Sequence, residues 1–356
     1  MQQSASDNSA QSRSIGRTVV QLIGYLIGIA LLVWCIRLAF SEENSAQLAT
    51  LKDAPAQSLI LLLMLSLASV GVNGFLFWIA LTPLRRLPLA DVLWTNALAT
   101  LLNYLPFKLS VASRVLVHAR KHNVSIPRIG AWFASVGAVM LCTLVPFSAV
   151  CRYFGNVHTQ SVLLGLLAVL GCLAATLVFF RVLKAKLPTA NNEQTPAGLA
   201  RLGMQMTGDG TRDLATLLSS PAPVFVGALF RLVDLLLLAS RMFIAGKLLG
   251  IELHMEHAIM LASGHFLAGV LSPIGMVGTR EAATVALATA IGVANAENVA
   301  SLPLLVAASE LPVLLVLCPF AVLFLRFDRL LAVRKMPIPS ETLAPSTDET
   351  PDEART

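Results

Sequence analysis

The chain of 356 residues is 56% hydrophobic and only 13% charged, and several of its apolar runs exceed the ~18 residues that signal a membrane span. That composition speaks against a soluble globular domain and for an all-α polytopic integral membrane protein. The formal net charge of +6 is no nucleic-acid signal, because Lys and Arg lie in short loops beside apolar runs instead of forming one basic domain.

In chain order, residues 1–16 form a Ser/Gln/Asn-rich tail that cannot bury enough apolar surface to offset chain entropy, and it is read as disordered. The first apolar run, Thr18–Phe40, is longer than the roughly 7 to 15 residues of a signal-peptide core and is expected to stay as a helix. Lys and Arg concentrate in cytoplasmic loops, so Arg13 and Arg17 place the N-terminus inside. The loop Ser41–Gln57, with Glu42, Glu43 and Asp53 against Lys52, belongs outside. Run Ser58–Leu81 then returns the chain to a cytoplasmic Arg85 and Arg86.

Run Asp91–Pro106 is too short to cross: at ~1.5 Å per residue it spans about 24 Å, against a hydrocarbon core of ~30 Å. Were it to cross, "KLSVASRVLVHARKHNVSIPR" would place Lys108, Arg114, Arg120, Lys121 and Arg128 outside without one acid. A re-entrant hairpin, entering from the cytoplasm and breaking at "LPFKLS", satisfies both length and charge. Runs Ile129–Cys151 and Ser161–Leu183 go out and back to the loop Lys184–Ala222, which carries Lys184, Lys186, Arg201 and Arg212. Run Pro223–Gly250 leads out to Glu252 and Glu256. The short runs Ala258–Ser272 and Ala282–Ala294 form a second hairpin from the outside, and Pro303–Arg326 exits to Arg326, Arg329, Arg334 and Lys335. The expectation is a transmembrane domain over 17–335 with about six crossings and two opposed re-entrant hairpins, in the cytoplasmic (inner) membrane, both termini cytoplasmic. Residues 336–356 are a second polar tail.

The two breaks, "LPFKLSVASR" (Leu105–Arg114) and "SPIGMVGTR" (Ser272–Arg280), share a proline after an apolar helix, a turn and then an arginine. Paired interrupted segments in opposite orientations mark inverted-repeat transporters. Backbone groups freed by Pro and Gly must be buried in protein or face a water-filled cavity. The reading is that they line a cavity; the plainer alternative is two kinks packed in protein. Gly275 and Gly278 allow positive φ and close approach. Freed amides at the start of the following helix would join Arg280 in binding a phosphate.

Polar residues inside a membrane are costly and therefore informative. Arg231, Asp234 and Arg241 share one helical stripe, and one ion pair with one arginine left over would suit a lipid phosphate. Alternatively Arg231 and Asp234 neutralise each other and Arg241 snorkels. Glu310, just before Pro312, is read as paired with an arginine such as Arg280, or as a proton carrier. Asn96, Thr100 and Asn103 share a face of the first hairpin; His265 is read as a hydrogen-bonded packing group. Ala282, Ala286 and Ala290 form a small-residue face for close helix packing. Cys35, Cys142, Cys151, Cys172 and Cys318 contain no C-x-x-C pair and are read as packing residues. No cofactor or metal is expected. Without H-E-x-x-H, G-x-S-x-G or a P-loop, the chain is expected not to be an enzyme; Glu281 beside Arg280 is the tightest candidate for catalysis.

"PIGMVGTREAATVALATAIGV" resembles the Pro-Gly-Gly-x-Gly-x-x-Glu segment of the lysylphosphatidylglycerol synthetase transmembrane-domain family of flippase-like membrane proteins. "NYLPFKLSVASRVLVHARKHN" resembles that family's earlier Asn-x-x-x-Pro-x-x-x-Gly-(Asp/Glu)-x-x-Arg segment. The resemblance covers roughly Thr18–Arg329. It singles out Asn103, Pro106 and Arg114, then Pro273, Gly275, Gly278 and Glu281. Two departures stand out: Ser110 and Val111 replace the small-acidic pair, and Ile274 replaces a glycine. If that acid helps bind a cation or head group, this chain takes a different substrate or works less well. The resemblance implies lipid translocation, with Arg114 and Arg280 expected to contact an anionic head group from two sides and Glu281 to fix the second hairpin. The 21-residue polar tail 336–356 leads to the expectation of no appended synthetase domain. The expected partner is a membrane lipid; homo-oligomers are compatible with the sequence. The rivals are an accessory or scaffold subunit of envelope-lipid synthesis, and an ion-coupled small-solute transporter using Glu281, Asp234 or Glu310.

Overall fold

The computed structural model describes residues 26–41, 49–105, 108–154, 159–187, 199–272, 278–293 and 295–332. Among these there are helices and no strand. The helices are α1 (Leu26–Ala39), α2 (Ala56–Leu81), α3 (Leu89–Leu102), α4 (Leu109–His122), α5 (Ile126–Phe154), α6 (Thr159–Lys186), α7 (Leu199–Leu218), α8 (Pro221–Leu248), α9 (Met255–Leu271), α10 (Thr279–Ala290), α11 (Ala296–Leu325) and α12 (Phe327–Ala332). Five, α2, α5, α6, α8 and α11, are long and apolar enough to cross a membrane. The expected crossing at Thr18–Phe40 is described only from Leu26 onward, as α1.

Polar contacts sort the helix ends into two groups. Arg85, after α2, donates from Nη1 to the Asn123 carbonyl (3.2 Å) beyond α4. Asp91 at the start of α3 pairs with Lys121 (2.7 Å) and His122 (3.1 Å) at the end of α4, so the two arms of the first hairpin are antiparallel and tied at their base. Arg120 donates to the Leu330 carbonyl of α12, and Arg128 Nε reaches Asp213 of α7 at 2.9 Å. The basic segments thus gather at one end. At the other end, Thr50 before α2 donates to the Leu248 carbonyl at the close of α8 (2.9 Å). Ile251, Leu253, Met255, Ile291 and Val293 join one apolar cluster there, which closes the base of the α9–α10 pair.

Helix α4 carries Arg120, Lys121 and His122 in its last turn, where the carbonyl dipoles favour cations, and Asn123 ends it at φ 51°. Lys108 precedes it in the left-handed region, at φ 50°. The structure departs from expectation in three places. The segment Lys184–Ala222, read as a loop, contains α7, which buries Ala215, Leu217 and Leu218. Helix α11 starts seven residues before Pro303 and runs through Pro303, Pro312 and Pro319, which neighbouring helices and side chains make tolerable in a membrane helix. Ala286 and Ala290 are exposed; α10 packs through Glu281, Thr284, Val285 and Ala288 instead, so the three alanines do not form the expected packing face.

Candidate functional site

Described residues of both hairpins line a cavity of about 350 Å³, together with residues of α2, α5, α8 and α11. On α2 the lining residues Ser69, Asn73 and Phe77 recur every fourth position and so share one face. They meet the polar stripe of α8. Arg231 Nη1 donates to Asp234 Oδ2 (2.8 Å) and Nη2 to Asn73 Oδ1 (3.3 Å), while Ser69 donates to Asp234 Oδ1 (2.5 Å). Asp234 is therefore satisfied on both oxygens. Two turns on, Arg241 Nη2 donates to the Val306 carbonyl (2.7 Å) and contacts Glu310 Oε2 (3.3 Å) on α11.

Arg114 on α4 is 6% exposed, and its counter-group is an amide, not an acid: Nη2 donates to Asn96 Oδ1 at 2.6 Å. Asn96 is held by its own amide, which donates to the Val70 carbonyl (2.8 Å). The guanidinium lies 3.9 Å from the Phe77 ring centre, and Trp132 donates to the Phe77 carbonyl (2.9 Å), which keeps that ring in place. Its Nη1 is buried and has no partner among the described residues. From the second hairpin, Arg280 lies along Gly269, where a β-carbon would come within 3.0 Å of its Cδ. Its guanidinium carbon stands 6.0 Å from the Tyr104 ring at the end of α3, and its Nε is buried without a partner among the described residues. Lys108, exposed at the mouth, adds a third cation to the lining. Apart from Lys108, the exposed rim is apolar: Leu105, Val111 and Val270 line the cavity with 47%, 42% and 44% of their surfaces open.

Residues 21–316 match the family model described as the lysylphosphatidylglycerol synthase TM region. The chain belongs to that family. No curated protein and no solved structure matches the chain. The matched span includes both hairpins and every described residue that lines the cavity, in a multi-pass membrane protein.

Of the residues expected at the site, Asn103, Arg114, Arg231, Asp234, Arg241, Arg280 and Glu310 do line the cavity. Pro106, Pro273 and Gly275 fall outside the described residues. Glu310 pairs with Arg241, not with Arg280, and Arg241, 2% exposed, neither snorkels nor stands free. The unmatched arginines are those of the hairpins, not of the α8 stripe. Glu281 is buried on α10 and does not line the cavity. Gly278 adopts φ 75° and abuts α1, where a β-carbon would overlap the Gly28 carbonyl and come within 2.9 Å of the Leu32 nitrogen. His265 shares a hydrogen bond with Thr284 Oγ1 (3.1 Å), as a packing group would. Ser69, Asn73 and Phe77 were not anticipated; their four-residue spacing on one apolar helix was the available signal.

Proposed function

We propose that the protein moves a lipid with an anionic head group across the cytoplasmic membrane, the head passing through the cavity while the apolar chains stay in the bilayer. One observation carries this reading: a cavity with cations left unmatched by carboxylates opens on an exposed apolar rim. A phosphate entering hydrocarbon loses its hydration at great cost. Arg114 Nη1, Arg280 Nε and Lys108 Nζ would replace that hydration with charge-assisted hydrogen bonds, which are about twice as strong as neutral ones. The apolar rim at Leu105, Val111 and Val270 gives the acyl chains a surface on which to remain.

In this reading α3–α4 and α9–α10 are re-entrant hairpins from the cytoplasmic and outer faces, both termini are cytoplasmic, and alternating access comes from rocking of the hairpins around the fixed α8 stripe. The bound anion replaces no covalent bond, so no catalytic group is required.

Reconstitution into liposomes with fluorescent phospholipids tests it. Wild-type protein should transfer labelled anionic lipid between leaflets, and Arg280→Ala protein, equally folded, should not. A scaffold would give no transfer, a solute carrier would give uptake instead, and an Arg280→Ala protein as fast as wild type would end the phosphate-site reading.

A further inference from the structure

The charge of the cavity wall narrows the class of head group. Among the described residues, five cationic side chains line it, Lys108, Arg114, Arg231, Arg241 and Arg280, against the two carboxylates Asp234 and Glu310. Both carboxylates are taken up by ion pairs, with Arg231 and Arg241. Lys108, Arg114 and Arg280 remain, and none has an ion-pair partner among the described residues. Residues 106–107 and 273–277, outside the described residues, include no acid in the sequence. Glu281, next to Arg280 in the chain, lies outside the lining; even counted in full it leaves two positive charges unmatched. His265 spends its Nδ1 on Thr284 and brings no negative charge.

Uncompensated charge away from water is expensive, which applies to buried Arg114 and to the buried Nε of Arg280, while exposed Lys108 adds positive charge at the mouth. The occupant that suits this wall is the one that neutralises it. A zwitterionic head offsets nothing, and a phosphodiester offsets one charge. A phosphate monoester carries about −1.5 to −2 at neutral pH. A lysyl ester, with two ammonium groups against one phosphate, adds positive charge. The volume of about 350 Å³ has room for one or two phosphates.

Resting on the lipid-transport reading, we infer that the cavity takes a lipid phosphate of two or more negative charges, a monoester or a diphosphate, and rejects a net-cationic aminoacyl head.

The test uses the full chain in zwitterionic liposomes at pH 8, with fluorescent phosphatidic acid, phosphatidylglycerol and lysyl-phosphatidylglycerol. Binding of the same probes to the detergent-solubilised protein is measured in parallel. Phosphatidic acid should be transferred and bound about tenfold better than phosphatidylglycerol, a conservative expectation for one more charge at a partly desolvated site, and the lysyl lipid should not compete. Val111→Asp, which places a carboxylate on the open rim, and Lys108→Asn, which removes a cation while tolerating left-handed φ, should each shrink that preference. Equal handling of the three lipids overturns the inference while leaving transport standing. Absence of transfer with the binding preference intact sinks transport and leaves the head-group assignment standing. Displacement of phosphatidic acid by an equal concentration of inorganic diphosphate would assign the site to a free anion and overturn the inference.

Discussion

Arg114 on one arm of the first hairpin donates to Asn96 on the other at 2.6 Å, and Asn96 in turn donates to the Val70 carbonyl of α2. This neutral relay orients a buried cation without neutralising it. Asn96→Leu, close in size, should leave the buried Arg114 Nη2 donor unsatisfied and cost about 1 to 3 kcal/mol. Thermal unfolding in detergent checks the stability loss, and lipid transfer should fall with it; a variant as stable as wild type would mean the relay is not needed to hold Arg114.

Gly278 and Gly28 bring the backbones of the second hairpin and α1 into contact. Gly278→Ala must both strain a positive φ and displace α1, an expected loss of about 3 kcal/mol or more. The measurement is the fraction of monodisperse protein recovered and its unfolding temperature. Wild-type values would show that α1 yields freely at this point.

Arg241 and Glu310 form a buried cross-helix pair, so removing one partner should be far worse than removing both. Glu310→Ala should cost about 3 kcal/mol, the low end for a broken buried pair because the Glu310 side chain keeps 13% of its surface exposed. Arg241→Met combined with Glu310→Leu should recover most of that stability. A double variant no more stable than Glu310→Ala alone would show that Arg241 matters through the Val306 carbonyl instead.

The orientation of the first hairpin is open to thiol labelling in a cysteine-free background. A cysteine at Lys121 should be shielded from an impermeant reagent in intact cells, and so should one at Thr195, while one at Glu252 should react. Labelling at Lys121 from outside would show that α3 crosses.

Much of the architecture was legible because its causes are local. The breaks at both hairpins follow from run length and from Pro and Gly, and the shared stripe of Arg231, Asp234 and Arg241 follows from helical period alone. Helix α7 was missed because its apolar residues are interrupted by Gly203, Gly208 and Gly210 and its polar face resembles a loop. The start of α11 was placed at Pro303 because proline usually opens or breaks a helix in water, whereas packed neighbours let this one continue.

The sequence by itself determined that the chain is helical and membrane-embedded, and that its basic segments belong at one end, because composition, run length and loop charge act on each segment separately. Only the tertiary structure decided which charges meet. Period places Arg241 on a stripe but says nothing of the rotation and offset of α11 that bring Glu310 to it. Nor could it show that Arg114 would be met by an amide and Arg280 by an aromatic ring, so that the unmatched cations lie on the hairpins. Those outcomes depend on packing between helices far apart in the chain, and pairing of buried charge is set by that packing.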